Sequence, residues 1–278
     1  MKLCISLTHA AVLVITIAAL PLFSINATAQ IAVSSNDGKL VLNNGTVAVP
    51  ANPVDDTVTI IDLGVSLPKV IAEFKAPSSV VGPPQNVAVA PDESFALVAA
   101  TMKLDPADPT KQVPDNRLSV IDLKANPPAV IATLEAGLGP SGTAINPAGT
   151  LALVANYREG TVSIFTISGK TLTAAGKIDF GDPKTGPAAI SFTPDGKTAL
   201  VTRDGDHRIS ILSIDGSTVT DTKRIMTGGH RPYAVQVSPK GDIAVIGNQW
   251  TRPNTPAHLP GKSSLQAIES LAFSELLA

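Results

Sequence analysis

Pro140-Ser141-Gly142-Thr143-Ala144-Ile145-Asn146-Pro147-Ala148-Gly149-Thr150-Leu151-Ala152-Leu153-Val154 is the stretch on which the fold turns. Two prolines seven residues apart bracket a short, partly apolar run. A turn containing glycine follows, then a second apolar run. The same frame recurs as Pro84/Pro91, Pro187/Pro194 and Pro232/Pro239, around Gln85–Ala90, Ala188–Thr193 and Tyr233–Ser238. Proline presets φ and glycine permits positive φ, so each frame reads as strand, tight turn, strand. The second prolines, Pro91, Pro147, Pro194 and Pro239, lie 56, 47 and 45 residues apart. A period near 45 in a pattern of short strands is one β-propeller blade per repeat.

Each repeat divides into four strands. In the third, Thr143–Asn146 is the inner strand, Leu151–Val154 the second, Val162–Ile167 the third and Thr171–Phe180 the outer one. The fourth repeats this with Thr198–Val201, Ile209–Ile214, the Asp215-Gly216 turn and Thr218–Met226. Third strands begin at Val58, Leu118, Val162 and Ile209, which fixes the register without the prolines. The first two repeats also match at a constant offset of 60, from Asp62-Leu63 with Asp122-Leu123 to Val70-Ile71-Ala72 with Val130-Ile131-Ala132. Ser35-Asn36-Asp37-Gly38-Lys39 is aligned with the turn Thr193-Pro194-Asp195-Gly196-Lys197 as a degenerate first copy. Longer spacings in the first two repeats are assigned to insertions between second and third strands, Asn43–Thr57 and Met102–Arg117. Insertions at one repeated position fall on one face, often the binding face.

Val154-Ala155-Asn156-Tyr157 followed by Thr161-Val162-Ser163-Ile164-Phe165 resembles the YVTN-type, lactonase-like seven-bladed β-propeller family. Leu118–Leu123 and Val58–Leu63 are similar to that family's third strand, and the resemblance covers roughly residues 31 to 249. The expected fold is all-β, a propeller of four-stranded antiparallel blades with about four and a half blades and a short C-terminal helix. The family implies a ring of seven blades and, as an activity, lactone hydrolysis. The repeat breaks after Asn248, so the chain is read as truncated after about residue 249. A ring completed by a partner chain and a smaller closed ring are the alternatives. WD repeats do not fit: the single tryptophan is Trp250 and no Trp-Asp pair occurs.

The ends read differently from the middle. Residues 1–29 have the form of a secretory signal peptide, with Lys2, an apolar stretch from Ala10 to Phe23 and Ala27-Thr28-Ala29 before Gln30. The expectation is a periplasmic or secreted protein with no membrane span after cleavage. Residues 30–249 form the propeller and 250–278 a tail, partly helical or disordered, with Ser264 as N-cap and Leu265, Ile268, Leu271 and Leu276 at helical spacing. The only cysteine, Cys4, lies in the signal, so the exported chain has no thiol chemistry. Removing the signal, with its single cation, takes the net charge from −2 to −3. No basic stripe marks a nucleic-acid partner. Charged residues make up 16% of the chain against a usual share of about 25%, which suits stacked, buried sheets.

Candidate chemistry is sparse. Gly137-Leu138-Gly139-Pro140-Ser141-Gly142 has dinucleotide-fingerprint spacing but precedes a strand, where nucleotide binding requires a helix. His207 and His230 are the two histidines between signal and tail, and they are the catalytic candidates. A pairing with Asp204 or Asp206 would make an acid/base couple, and Arg203 or Arg231 would hold an anion. Asn156 and Arg158, in a loop after a second strand, are further ligand-binding candidates at the propeller mouth. Asp105, Asp108 and Asp115 lack calcium-loop spacing, and two histidines without cysteine do not make a structural zinc site, so neither metal nor cofactor is expected. The commitment is a binding protein for a small molecule, a carbohydrate or an envelope protein. A lactone hydrolase and a cell-envelope scaffold are the alternatives.

Overall fold

The computed structural model describes residues 30–43, 46–79, 85–249 and the backbone of 271–272. The expected signal, and the tail apart from Leu271–Ala272, lie outside the described residues. Five antiparallel sheets follow one another along the chain. The first contains β1 (Ile31–Asn36), β4 (Thr57–Asp62) and β5 (Lys69–Lys75), with the hairpin β2 (Val41–Asn43)–β3 (Thr46–Ala48) inserted after β1. The second has β6 (Val87–Val89), β7 (Phe95–Ala99), β10 (Arg117–Asp122) and β11 (Ala129–Glu135), with the hairpin β8 (Met102–Leu104)–β9 (Gln112–Pro114) inserted after β7. The third is β12 (Pro140–Ile145), β13 (Leu151–Asn156), β14 (Thr161–Ser168) and β15 (Thr171–Asp179). The fourth is β16 (Pro187–Phe192), β17 (Thr198–Arg203), β18 (Arg208–Asp215) and β19 (Thr218–Thr227). The fifth pairs β20 (Pro232–Val237) and β21 (Ile243–Asn248) with β22 (Leu271–Ala272). These are propeller blades, and the sheets do not close into a ring.

Two expectations change. Ser35–Lys39 is not the turn between first and second strands. Val58 pairs with Ser35 as Leu118 pairs with Ala99, so β1 is itself a second strand and the insertion begins at Asp37. The inner strand of that blade is absent among the described residues. The apolar spacing of the tail suggested a helix, but Leu271–Ala272 pair as a strand with Ile243 and Ala244. Among the described residues there is no α-helix, and none long and apolar enough to cross a membrane.

Alternation explains the stacking. Along β13, Leu151, Leu153 and Ala155 face the fourth blade with Ala199 and Val201, while Ala152 and Val154 face the second with Leu97 and Ala99. Each side chain is fully buried, so every blade interior is shared with its neighbours and the runs read as continuously apolar. Turns add a second contact. A Cβ on Gly196 would lie 3.6 Å from Pro147 Cδ, and one on Gly241 3.1 Å from Pro194 Cδ. The repeated proline of one blade is thus the seat for the repeated glycine of the next.

A polar bracket recurs inside the blades. Asn156 Nδ2 donates to Thr161 Oγ1 and Ser163 Oγ, both at 2.9 Å. Asn36 Nδ2 does the same to Thr57 Oγ1 (3.2 Å) and Thr59 Oγ1 (2.9 Å), and Arg203 donates to Ser210 Oγ at 3.1 Å. In the second blade the corresponding residue is Ala100, and the buried Ser119 hydroxyl has no partner.

Candidate functional site

Antiparallel order sends every loop between second and third strands, and every crossover between blades, to the same end of the sheets. Both inserted hairpins, Tyr157-Arg158, Asp204–His207 and Gly228–Arg231 therefore share one face. On that face the fourth and fifth blades meet in a polar cluster. Asp204, 1% exposed, accepts Arg231 Nε on one carboxylate oxygen and Nη2 on the other, both at 2.9 Å. The Tyr157 hydroxyl donates to the same carboxylate at 2.5 Å. Burial, then the Asp204 carboxylate, pushes the Tyr157 phenol up, and Asp204 raises Arg231. Burial chiefly, with Tyr157 and Asp204 adding, raises Tyr233 as well. All these hydroxyls stay protonated at neutral pH.

Arg203 forks onto both oxygens of Asp206, with its guanidinium carbon 4.9 Å from the centre of the Phe180 ring. Asp204 and Asp206 are thus taken by arginines, and the expected histidine–aspartate couple does not form. The histidines meet each other instead. The His207 and His230 rings lie 4.5 Å apart, tilted by 32°, and His207 Nδ1 accepts the Arg231 backbone N–H at 3.0 Å. A neutral imidazole that accepts at Nδ1 carries its proton on Nε2, so His207 presents an N–H to solvent.

The backbone marks these residues out. His207 (φ 63°) and Arg231 (φ 54°) are left-handed, where a non-glycine residue is disfavoured by roughly 1–2 kcal/mol. Equivalent positions in neighbouring blades are glycines: Gly160 (φ 75°) for His207, and Gly139 (φ 68°) and Gly186 (φ 56°) for Arg231. The conformation is needed because the carbonyl there accepts an N–H from the following loop. Tyr157 N reaches Gly139 O, Asp204 N reaches Gly186 O and Gln249 N reaches Arg231 O, each at 2.9 Å. Glu93 (φ 53°) likewise stands where Gly149, Gly196 and Gly241 turn the other blades, so what sets His207 and Arg231 apart is that two such residues meet.

Other expected site residues serve the fold. Asn156 is fully buried in its bracket and does not face a ligand. Arg158 is exposed, 5.5 Å from the centre of the Tyr157 ring. Buried acid–base pairs also occupy the same face in earlier blades. Lys39 Nζ meets Asp56 at 2.9 Å and Asp37 at 3.2 Å, and Arg117 forks onto Asp115. The Asp204–Arg231 pair is one of this series, a clasp between blades. Tyr157 lies in the candidate loop Asn156–Arg158 and Tyr233 at the repeat position of Ser141, but residue type alone singles out neither as a partner of Asp204. The described apolar depression, about 510 Å³ and lined by Pro147, Pro194, Pro239 and Phe192, opens at the opposite, turn-bearing end, away from this cluster.

Fold and cluster together define a β-propeller with an arginine–tyrosine–histidine site on its loop face. The chain resembles the seven-bladed lactonase propellers: the family model described as "Lactonase, 7-bladed beta-propeller" matches residues 122–255. A structure of a functionally unknown protein from Desulfotomaculum acetoxidans is similar at 23% identity, TM-score 0.58, covering 77% of this chain and 63% of that one. A candidate 6-phosphogluconolactonase from Bacteroides uniformis follows at 17% identity and TM-score 0.55 (76% and 62%). The periplasmic gluconolactonase PpgL of Pseudomonas aeruginosa matches at 17% identity and TM-score 0.53 (73% and 59%). The chain thus spans less than two thirds of each of these structures. Among curated proteins nothing matches.

Proposed function

We propose that this chain is an exported propeller that binds a small, acceptor-rich molecule over His207, His230 and Arg231. The observation that carries the reading is the meeting of two left-handed residues at glycine positions, the His207 ring accepting the Arg231 backbone N–H and lying against His230. Asp204 and Asp206 are each paired with an arginine, and the exposed His207, Arg158 and Arg208 add donors on the same face. Such a surface suits carbonyl, carboxylate or phosphate oxygens. Thermal shift with gluconate and 6-phosphogluconate tests it: stabilisation in the wild type and its loss in His207→Gly support binding, and no stabilisation by either sinks it. N-terminal sequencing of exported protein beginning at Gln30 tests the export reading. Capture of an envelope protein without any small-molecule effect would favour the scaffold.

The second reading is lactone hydrolysis, favoured by the fixed His207 tautomer. Its Nε2–H would polarise the lactone carbonyl while His230 takes a proton from water attacking the carbonyl carbon. Collapse of the tetrahedral adduct breaks the ring C–O bond, and the departing ring oxygen takes the proton back from His230. Hydrolysis of glucono-δ-lactone above the spontaneous rate, lost in His230→Ala, is the expected result. A wild-type rate equal to the spontaneous one removes this reading.

A further inference from the structure

The crossovers between blades share one requirement. The amide of the left-handed residue before each inner strand must be capped. In the second crossover Asp115 O caps Gly139 N at 2.8 Å, and in the third Pro183 O caps Gly186 N at 3.4 Å. Backbone carbonyls do this whatever the pH. In the fourth crossover the cap is the imidazole Nδ1 of His207, 3.0 Å from Arg231 N. Here alone among these three a titratable atom stands in for a carbonyl.

We propose that His207 is a proton-operated latch between the fourth and fifth blades. Neutral, it accepts the Arg231 N–H. When Nδ1 gains a proton the acceptor becomes a donor, N–H faces N–H, and the bond cannot persist. Among the described residues, the carboxylates beside the ring are already paired with arginines. On its own loop Asp204 and Asp206 are paired with Arg231 and Arg203, and Arg208 is the next residue. From the crossover come the stacked His230 and the Arg231 guanidinium. Tyr157, Tyr233 and Lys184, from the loop after β13, from β20 and from the turn before β16, add hydroxyls and a cation, none of them an anion at neutral pH. Release leaves Arg231 left-handed without its cap, so the crossover loosens. The fifth blade follows, because Gln249 N is tied to Arg231 O. Protonation of the imidazole is the trigger, so acidification opens the latch.

Amide exchange of Arg231 tests this, resolved by NMR in the whole protein and corrected for intrinsic rates. Protection in the wild type should fall about tenfold per pH unit once His207 charges, while Gly139, capped by a carbonyl, stays flat. His207→Asn, which tolerates left-handed backbone and keeps an acceptor oxygen, should be protected at both pH 7.5 and pH 5.5. His207→Gly should be unprotected at both, and His230→Asn should keep the wild-type slope. A flat wild-type profile, or a slope that survives in His207→Asn or His207→Gly, overturns the latch. Because none of these readouts involves a ligand, failure of the latch leaves the binding reading standing, and the converse holds.

Discussion

His207, Arg231 and Ser119 show how one residue gains meaning from its repeat. Reading Gly160 against His207 turns an ordinary loop histidine into a strained one. Its left-handed strain and its single hydrogen bond to Arg231 are each worth about 1 kcal/mol and oppose one another. His207→Gly should therefore change the urea-unfolding free energy by less than about 1 kcal/mol while abolishing ligand stabilisation. Arg231→Gly removes similar strain but strands the buried Asp204 carboxylate. With Arg231 about a third exposed, the net loss should be about 2–3 kcal/mol in the same assay. Ser119 and Ser163 occupy one repeat position with opposite expectations. Ser163→Ala removes an acceptor from Asn156 and from Gly137 N and should cost about 1 kcal/mol. Ser119→Ala deletes an orphan hydroxyl and should be neutral or stabilising. These roles were hidden in the linear sequence because burial and partners are set by neighbouring strands, and residue type alone does not report them.

Strands were more legible than residues. Leu151–Val154 and Val162–Ile167 sit within β13 and β14, because a run buried on both faces must be continuously apolar. The first blade was misplaced by a local likeness: Asp37-Gly38-Lys39 has the chemistry of a turn between first and second strands, yet it leaves a second strand. Turn residues suit any reversal, so they locate a turn without saying which. Outer strands carry a further device that escaped the pattern. The pairing of β4 with β5 skips Ile71 and that of β10 with β11 skips Ile131, bulges that bend the exposed edges away from strand-to-strand pairing. The inner strands are the tightest element. A Cβ on Gly142 would meet Ala189 Cα at 2.6 Å and the Ala188 carbonyl closer still. Gly142→Ala must part β12 from β16 and should cost about 3 kcal/mol or more, seen as a lowered Tm.

At the scale of the whole molecule, the apolar clusters join each blade to the next, and Gln85 Nε2 also donates to Val235 O at 2.9 Å, tying the inner edge of the second blade to the fifth. Carboxylates hold several seams. Lys170 keeps Asp122 below the usual carboxylate range across the second and third blades, and turn hydroxyls do the same through Ser94 for Asp92, Thr193 for Asp195 and Ser238 for Asp242. Each acid has a lower folded than unfolded pKa. Its stabilisation is therefore complete above the unfolded value, about 4, and fades as pH falls through the folded one. Urea midpoints measured from pH 7 to pH 2 should hold a plateau down to about pH 4 and then fall, apart from any local opening at the fourth crossover. The two end faces differ. Ile243 and Val245 are 40% and 41% exposed where Leu151 and Leu153 are fully covered, whereas the outward side of the first blade carries Ser34, Asn36, Thr57 and Thr59 bonded among themselves. The seating of glycine on the preceding proline has a direction as well. Pro147 is complete before Gly196 is translated, and Pro194 before Gly241. A nascent chain leaving the ribosome would thus always find its docking surface already folded, and each blade would serve as the template for its successor.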